Sequence, residues 1–154
     1  MKTISGDVRN PIGNGNKFIC HCCNNQNLMG SGVALALFQK WSKVKSEYHS
    51  WAKNNPETFI LGNVQLVWVE DDIGVINMIG QNGIKSESNP IPVKYDALEK
   101  CLQKVKLLAK KHNATIHFPE KVSSDRAGGS WDIVQKIIGK ELEGLEVIVY
   151  KFES

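Results

Sequence analysis

The sequence has no apolar run near the roughly 18 residues that a membrane-spanning helix needs, and its opening Met1-Lys2-Thr3-Ile4-Ser5-Gly6-Asp7 has no apolar signal core. A cytoplasmic chain with no membrane partner is expected. Strong charge of one sign is missing as well, since 19 basic residues face 16 acidic ones for a net charge of +3. Nucleic acid is therefore not an expected partner, except as a modified substrate, because such surfaces need denser clustering. The lysines from 100 to 111 illustrate the point: Leu98, Leu102, Val105 and Ala109 recur at helical spacing and the lysines fall mostly between them. That pattern is a solvated helix face. GxGxxG is absent and no Walker lysine follows a glycine-rich loop, so the standard dinucleotide and P-loop fingerprints are excluded.

Paired cysteine ligands are lacking too. Three of the four cysteines flank His21 contiguously, as Cys20-His21-Cys22-Cys23, and the preceding Phe18-Ile19 marks a strand. On a strand, Cys20 and Cys22 face one way while His21 and Cys23 face the other, so they do not converge on one ion. No metal and no cofactor are expected, and the thiols read as buried and free in a reducing compartment.

What is present is an ordinary globular composition, 42% hydrophobic and 23% charged over 154 residues, which suits one domain spanning 1–154. A monomer is expected. The pattern alternates. Strands are predicted over Lys2–Val8, Lys17–Cys23, Phe59–Val69, Gly74–Met78, Thr115–Phe118 and Glu146–Phe152. Helices are predicted from Val33 to Lys40 and on, with a break, through Trp51, and over Tyr95–Lys111 and Trp131–Glu141. Strands separated by helices imply an α/β fold of three α/β/α layers around a mixed, largely parallel sheet, with ligands at the carboxyl ends of the strands.

Two loops carry the chemistry. Asn24–Gly32 follows a buried strand and opens a helix through Gly30-Ser31-Gly32, and Ser123–Gly129 does the same through Ala127-Gly128-Gly129. Glycines let a backbone approach a ligand closely, and free amides at a helix start favour an anion. One such loop is often only a turn or a cap. Two in one small domain suit a diphosphate.

Gly6-Asp7-Val8, ICHCCNNQNLMGSGVA from Ile19 to Ala34 and FPEKVSSDRAGGSW from Phe118 to Trp131 resemble the macro domain family in order and spacing. The closing Val147-Ile148-Val149-Tyr150 is similar to that family's last strand, so the likeness spans nearly the whole chain. It implies a three-layer macro domain that binds ADP-ribose. It also implies that Asp7, followed by Val8, accepts a hydrogen bond from the adenine amino group, and that Asn25 bonds hydroxyls of the distal ribose. Gly30, Ser31, Gly32 and Val33 would wrap that ribose and the nearer phosphate. Ser123, Ser124, Asp125, Arg126, Ala127 and Gly128 would cover the diphosphate from the other side. Phe152 would stack on the adenine, a core plug being the alternative.

Within the family, His21 and the tryptophan ending the second loop resemble the ADP-ribose-1″-phosphate phosphatase branch. That likeness implies hydrolysis to ADP-ribose and phosphate, with His21, Asn25 and Asp125 as catalytic residues. A histidine titrates near neutrality and suits proton transfer beside a phosphate; a hydrogen-bonded core histidine is the plainer reading. Asp125 departs from the family's usual glycine, and reads as a general base, as a partner of Arg126, or as a helix cap. The branch that releases ADP-ribose from acidic side chains uses a lysine after the fourth strand. Here that stretch is Asn77-Met78-Ile79-Gly80-Gln81 with no lysine before Lys85, which disfavours that route. Release of ADP-ribose from modified macromolecules and binding without turnover are the alternative functions.

Overall fold

The computed structural model describes residues 1–124 and 127–152. The strands are β1 (Lys2–Ser5), β2 (Asn16–Asn24), β3 (Val64–Glu70), β4 (Ile73–Gln81), β5 (Ala114–Pro119) and β6 (Val147–Lys151). The helices are α1 (Gly32–Lys40), α2 (Lys43–Asn54), α3 (Tyr95–His112) and α4 (Trp131–Glu141). The six strands form one sheet in the order β1-β6-β5-β2-β4-β3. Every pairing is parallel except β3 with β4. The fold is the expected mixed, largely parallel α/β sheet. Among the described residues no helix is long and apolar enough to cross a membrane.

Continuous apolar runs explain the middle of the sheet. All nine residues of β4 are buried, as a parallel strand covered on both faces requires. Side-chain alternation along β2 sorts its residues between two cores. Phe18 and Cys20 face the α3–α4 side with Leu98, Leu102 and Ile138, while Ile19 and Cys23 face Leu37, Val44 and Tyr48 on α1 and α2. The helix face anticipated on α3 is buried at Leu98, Leu102, Val105 and Ala109. Burial of such side chains, at about 25 cal/mol per Å² of apolar surface, is the main term holding the layers together.

Two strands are markedly shorter than the sequence-based expectation. The Phe59–Val69 run is strand only from Val64, because Gly62 takes a left-handed φ of 90° and Phe59 turns inward instead. Its ring packs 5.2 Å from Tyr48 and 5.1 Å from Trp51. β1 stops at Ser5, since the Asp7 carboxylate accepts a bond from the Arg9 amide and turns the chain. The helix after the second loop runs over the expected Trp131–Glu141. It begins at Trp131, where Ser130 is the cap and accepts from the Ile133 amide at 3.5 Å.

Candidate functional site

Because β1, β6, β5, β2 and β4 run parallel, their carboxyl ends lie along one edge of the sheet. A cleft of about 480 Å³ opens there, between the loop after β2 and the loop after β5. That volume is in the range of a small-molecule site.

The first loop is built by Asn24. The register of β2 against β4 shifts between Cys23 and Asn24, and this irregularity ends the strand. The Asn24 side-chain oxygen accepts from the amides of Gln26 and Leu28, and its amide nitrogen donates to the Leu28 carbonyl at 2.7 Å. The chain then enters α1 through Gly30, whose missing side chain leaves open space, and Gly32, whose φ of 63° favours glycine. The cap residue Ser31 makes no side-chain capping bond, and the first turn holds no acid. The first bond to close in α1 runs from the Leu35 amide to Ser31, so the amides of Gly32, Val33 and Ala34 have no intrahelical acceptor. This is an anion-ready helix start. α4 differs, with its own serine cap and Asp132 in its first turn.

Opposite lie Pro119, Lys121, Val122, Ser123 and Ala127. Ser123 is buried, holds a left-handed φ of 63° and has a hydroxyl with no hydrogen-bond partner among the described residues. The Cys22 thiol also lies on the cleft floor, and burial pushes that thiol up to about 11. Lys85 and Lys121 bring two ammonium groups to the lining, and among the described residues no carboxylate accompanies them. Fixed amides, two cations and a hydroxyl without a partner among the described residues are groups complementary to an anion.

His21 reaches the same cleft but is only 2% exposed. Its Nε2 lies 2.5 Å from the Asn77 side-chain oxygen, and Asn77 donates from its nitrogen to Val44 and Gln65. An acceptor-only oxygen requires Nε2 to carry the proton. Burial depresses the ring to about 4, so it is neutral at ordinary pH.

Of the residues singled out in the sequence, His21, Gly30, Ser31, Gly32, Val33, Ser123 and Ala127 come together in the cleft lining. Asn25 does not line it; its side chain bonds Asn82 and the Gly83 amide. Val8 is buried in the core. Ser124 turns its hydroxyl to the Val122 carbonyl, and Gly128 packs against Pro90. Asp7 stands at the β1–β6 end of the edge with both oxygens held by Arg9, which keeps its carboxyl below the usual range. Phe152, one residue past β6, is 65% exposed and is no core plug. Asp125 and Arg126 lie outside the described residues. Sequence reasoning missed Asn24, whose signal was a buried strand ending in consecutive asparagines, and Lys85 and Lys121, which carry no local signature.

This fold recurs in known proteins. A macrodomain protein from Streptomyces coelicolor matches with 35% identity and a TM-score of 0.86, over 97% of each chain. The chain belongs to the macrodomain family. A Bacteroides thetaiotaomicron protein of unknown function matches this macrodomain with 41% identity and a TM-score of 0.91, over 97% of this chain and 96% of that one. Thermosipho africanus DarTG, in a structure with ADP-ribose, shares the fold at 14% identity and a TM-score of 0.70, over 90% of this chain and 38% of that one. Among curated proteins, the mouse chromodomain-helicase-DNA-binding protein 1-like is 28% identical over 160 residues, covering 97% of this chain. The macrodomain spans only 17% of that relative's length. No protein-family model matches the chain.

Proposed function

We propose that this macrodomain binds ADP-ribose along the carboxyl edge of its sheet and hydrolyses ADP-ribose-1″-phosphate to ADP-ribose and phosphate. The observation that carries the reading is the order of groups along that edge. Asp7 and Phe152 stand at β1 and β6, the two glycine loops at β5 and β2, and Gln81 to Lys85 at and beyond the end of β4. Five strands at about 4.8 Å spacing set these groups across roughly 19 Å. A base, a diphosphate and a second ribose laid in a row have the same order. The neighbour solved with ADP-ribose supports the ligand class through its likeness of fold.

In this reading the α1 amides and the ammonium groups of Lys121 and Lys85 oppose charge that develops on phosphate oxygens during attack by water. His21, Asn25 and Asp125 are the residues the family resemblance assigns to turnover. The depressed His21 ring supports a positioning role, a neutral donor fixed on Asn77, over one as a proton donor at neutral pH. A cytoplasmic, reducing setting fits the four free thiols.

A second reading, release of ADP-ribose from a modified macromolecule, is favoured by one observation. Lys85 stands four residues past β4, yet it lines the cleft. The deciding experiment is calorimetric titration with ADP-ribose, followed by phosphate release from ADP-ribose-1″-phosphate on the same sample. Binding with release supports the first reading. Binding without release, together with turnover of an ADP-ribosylated macromolecule, supports the second. No binding overturns both.

A further inference from the structure

β3 is an end strand of the sheet, with β4 on one side and no strand on the other. The Asn63 carbonyl accepts from the Ile79 amide and so points at β4, whereas the Trp68 carbonyl points outward, where the Lys43 ammonium meets it at 3.1 Å. Backbone groups alternate in direction along an antiparallel strand. Gln65 and Val67 therefore bond β4, while the amides and carbonyls of Val64, Leu66 and Trp68 face away from the sheet. Such a row is a template for a further strand.

α3 walls one side of this edge. A side chain on Gly62 would meet Lys100 at 3.2 Å, the Lys104 ammonium bonds the Asn63 side-chain oxygen at 2.5 Å, and the His112 ring packs 5.4 Å from that of Trp68. Helix and strand thus run side by side in the same direction. Lys100, Lys104, Leu107 and Lys111 fall within about 60° around the helix at 3.6 residues per turn, and all four are exposed. With half-buried Val64, Leu66 and Trp68 beside them, they frame a trough that is apolar in the middle and basic at both ends. On the α2 side a hollow of about 410 Å³ opens at the start of the same edge, lined by Val64 and Gln65 with Glu47, Ser50, Trp51 and Asn54. Glu47 brings the one carboxylate to that hollow, and among the described residues no cation lines it. None of these residues lines the cleft.

We propose that the β3 edge docks an extended segment of another polypeptide, which adds to the sheet as a seventh strand antiparallel to β3. Main-chain bonds to Val64, Leu66 and Trp68 supply the affinity, and side chains alternating between the two faces supply the specificity. Acidic residues lie opposite Val64 and Trp68, within reach of Lys100 and Lys104 at one end and Lys111 at the other. An apolar residue lies opposite Leu66, under Leu107. A basic residue lies opposite Gln65 and enters the hollow toward Glu47, beside the Trp51 ring. A second copy of this chain fits less well, because antiparallel pairing of two β3 edges sets one lysine stripe against the other.

The probe is a capped peptide, Thr-Glu-Thr-Val-Arg-Glu-Thr, compared with the same peptide carrying lysine in place of both glutamates. The proteins are the wild-type chain and the double variant Lys104→Glu/Lys111→Glu, with ADP-ribose titration as a control that the cleft is intact. Wild type is expected to bind the acidic peptide and to show amide exchange at Val64, Leu66 and Trp68 slowed about tenfold or more, with Gln65 and Val67 unchanged. The double variant is expected to bind the acidic peptide about tenfold or more weaker and to prefer the lysine peptide, a reversal that general unfolding does not produce. Lysines beside an edge also deter pairing, and that role alone predicts a different result: a double variant that self-associates in sedimentation, and a wild type that binds neither peptide. That outcome overturns the proposal. Equal binding of both peptides by wild type, or protection confined to residues away from β3, overturns it as well.

Discussion

The Tyr48 hydroxyl lies 2.7 Å from the Asn24 carbonyl oxygen and 3.0 Å from its side-chain oxygen, joining α2 to the loop that walls the cleft. Tyr48 is fully buried, so the bond is shielded from water. Tyr48→Phe removes the donor and leaves Asn24 under-satisfied, which is expected to cost about 1–2 kcal/mol of stability. Affinity for ADP-ribose is expected to fall as well, because the Gly30–Val33 backbone loses its anchor. Denaturant unfolding beside calorimetric titration checks this. Unchanged affinity would show that Asn24 orders the loop without Tyr48.

Lys85 and Lys121 are exposed cations lining a cleft whose described residues include no carboxylate. Either one replaced by methionine is expected to weaken ADP-ribose about three- to tenfold with stability little changed, since exposed charges contribute little to folding. The loss is expected to shrink as salt rises, because screening already weakens such contacts in the wild type. Titrations at low and high ionic strength check this. A salt-independent loss would mean that shape, not charge, is what the lysine provides.

Two buried histidines set the pH dependence of stability. Burial depresses His21 and His117 to about 4 each. The Thr115 hydroxyl donates to the Asn16 carbonyl and so accepts from His117 Nε2–H, which leaves Nδ1 to accept from the Tyr150 hydroxyl at 2.7 Å. Folded-state values below the unfolded one mean that the unfolded chain takes up protons first as pH falls. The stabilisation is therefore complete above about 6.5 and is lost as pH falls toward about 4, on the order of 3 kcal/mol for each ring. Urea midpoints at pH 7.5, 6.5, 5.5 and 4.5 check this. A flat profile would show that one or both rings are protonated in the fold.

Much of this arrangement was legible because the signals were local. The alternation of Cys20, His21, Cys22 and Cys23 sorted one strand between two cores, and the Leu98 to Ala109 spacing set the buried face of α3. What failed depends on partners distant in sequence. The two glycine loops look alike in the chain, yet only α1 has an uncapped start; Ser130 and Asp132 close the other. Asn24 outranks Asn25 in the first loop only because Tyr48 stands behind it. The place of Lys85 follows from the path of the 81–92 loop, which no spacing in the sequence reveals.

Ser123 combines two costs, a left-handed φ of 63° on a residue with a side chain and a buried hydroxyl without a partner among the described residues. Both costs vanish in Ser123→Gly, which is expected to stabilise the fold by about 1 kcal/mol while weakening ADP-ribose. Ser123→Ala keeps the strain and loses only the hydroxyl, so it is expected to weaken binding with a smaller gain in stability. Thermal unfolding and titration of the pair check this. Full affinity in both variants would remove the serine from ligand recognition and leave its strain without a functional account.

Gly30 and Gly128 separate ligand approach from packing. A methyl at Gly128 would stand 2.4 Å from the Pro90 carbonyl oxygen, and its φ of 73° is left-handed. Gly128→Ala is expected to destabilise the domain by about 2–4 kcal/mol, since neither backbone can give way cheaply. A methyl at Gly30 meets nothing within 4 Å, although Gly30 lines the cleft. Gly30→Ala is expected to leave stability within about 0.5 kcal/mol yet lower ADP-ribose affinity, because the methyl occupies space the ligand needs. Unfolding and titration of both variants check the contrast. A Gly30→Ala protein with full affinity would show that the ligand keeps clear of the first loop's backbone, and would shift its weight onto the α1 amides and the two lysines.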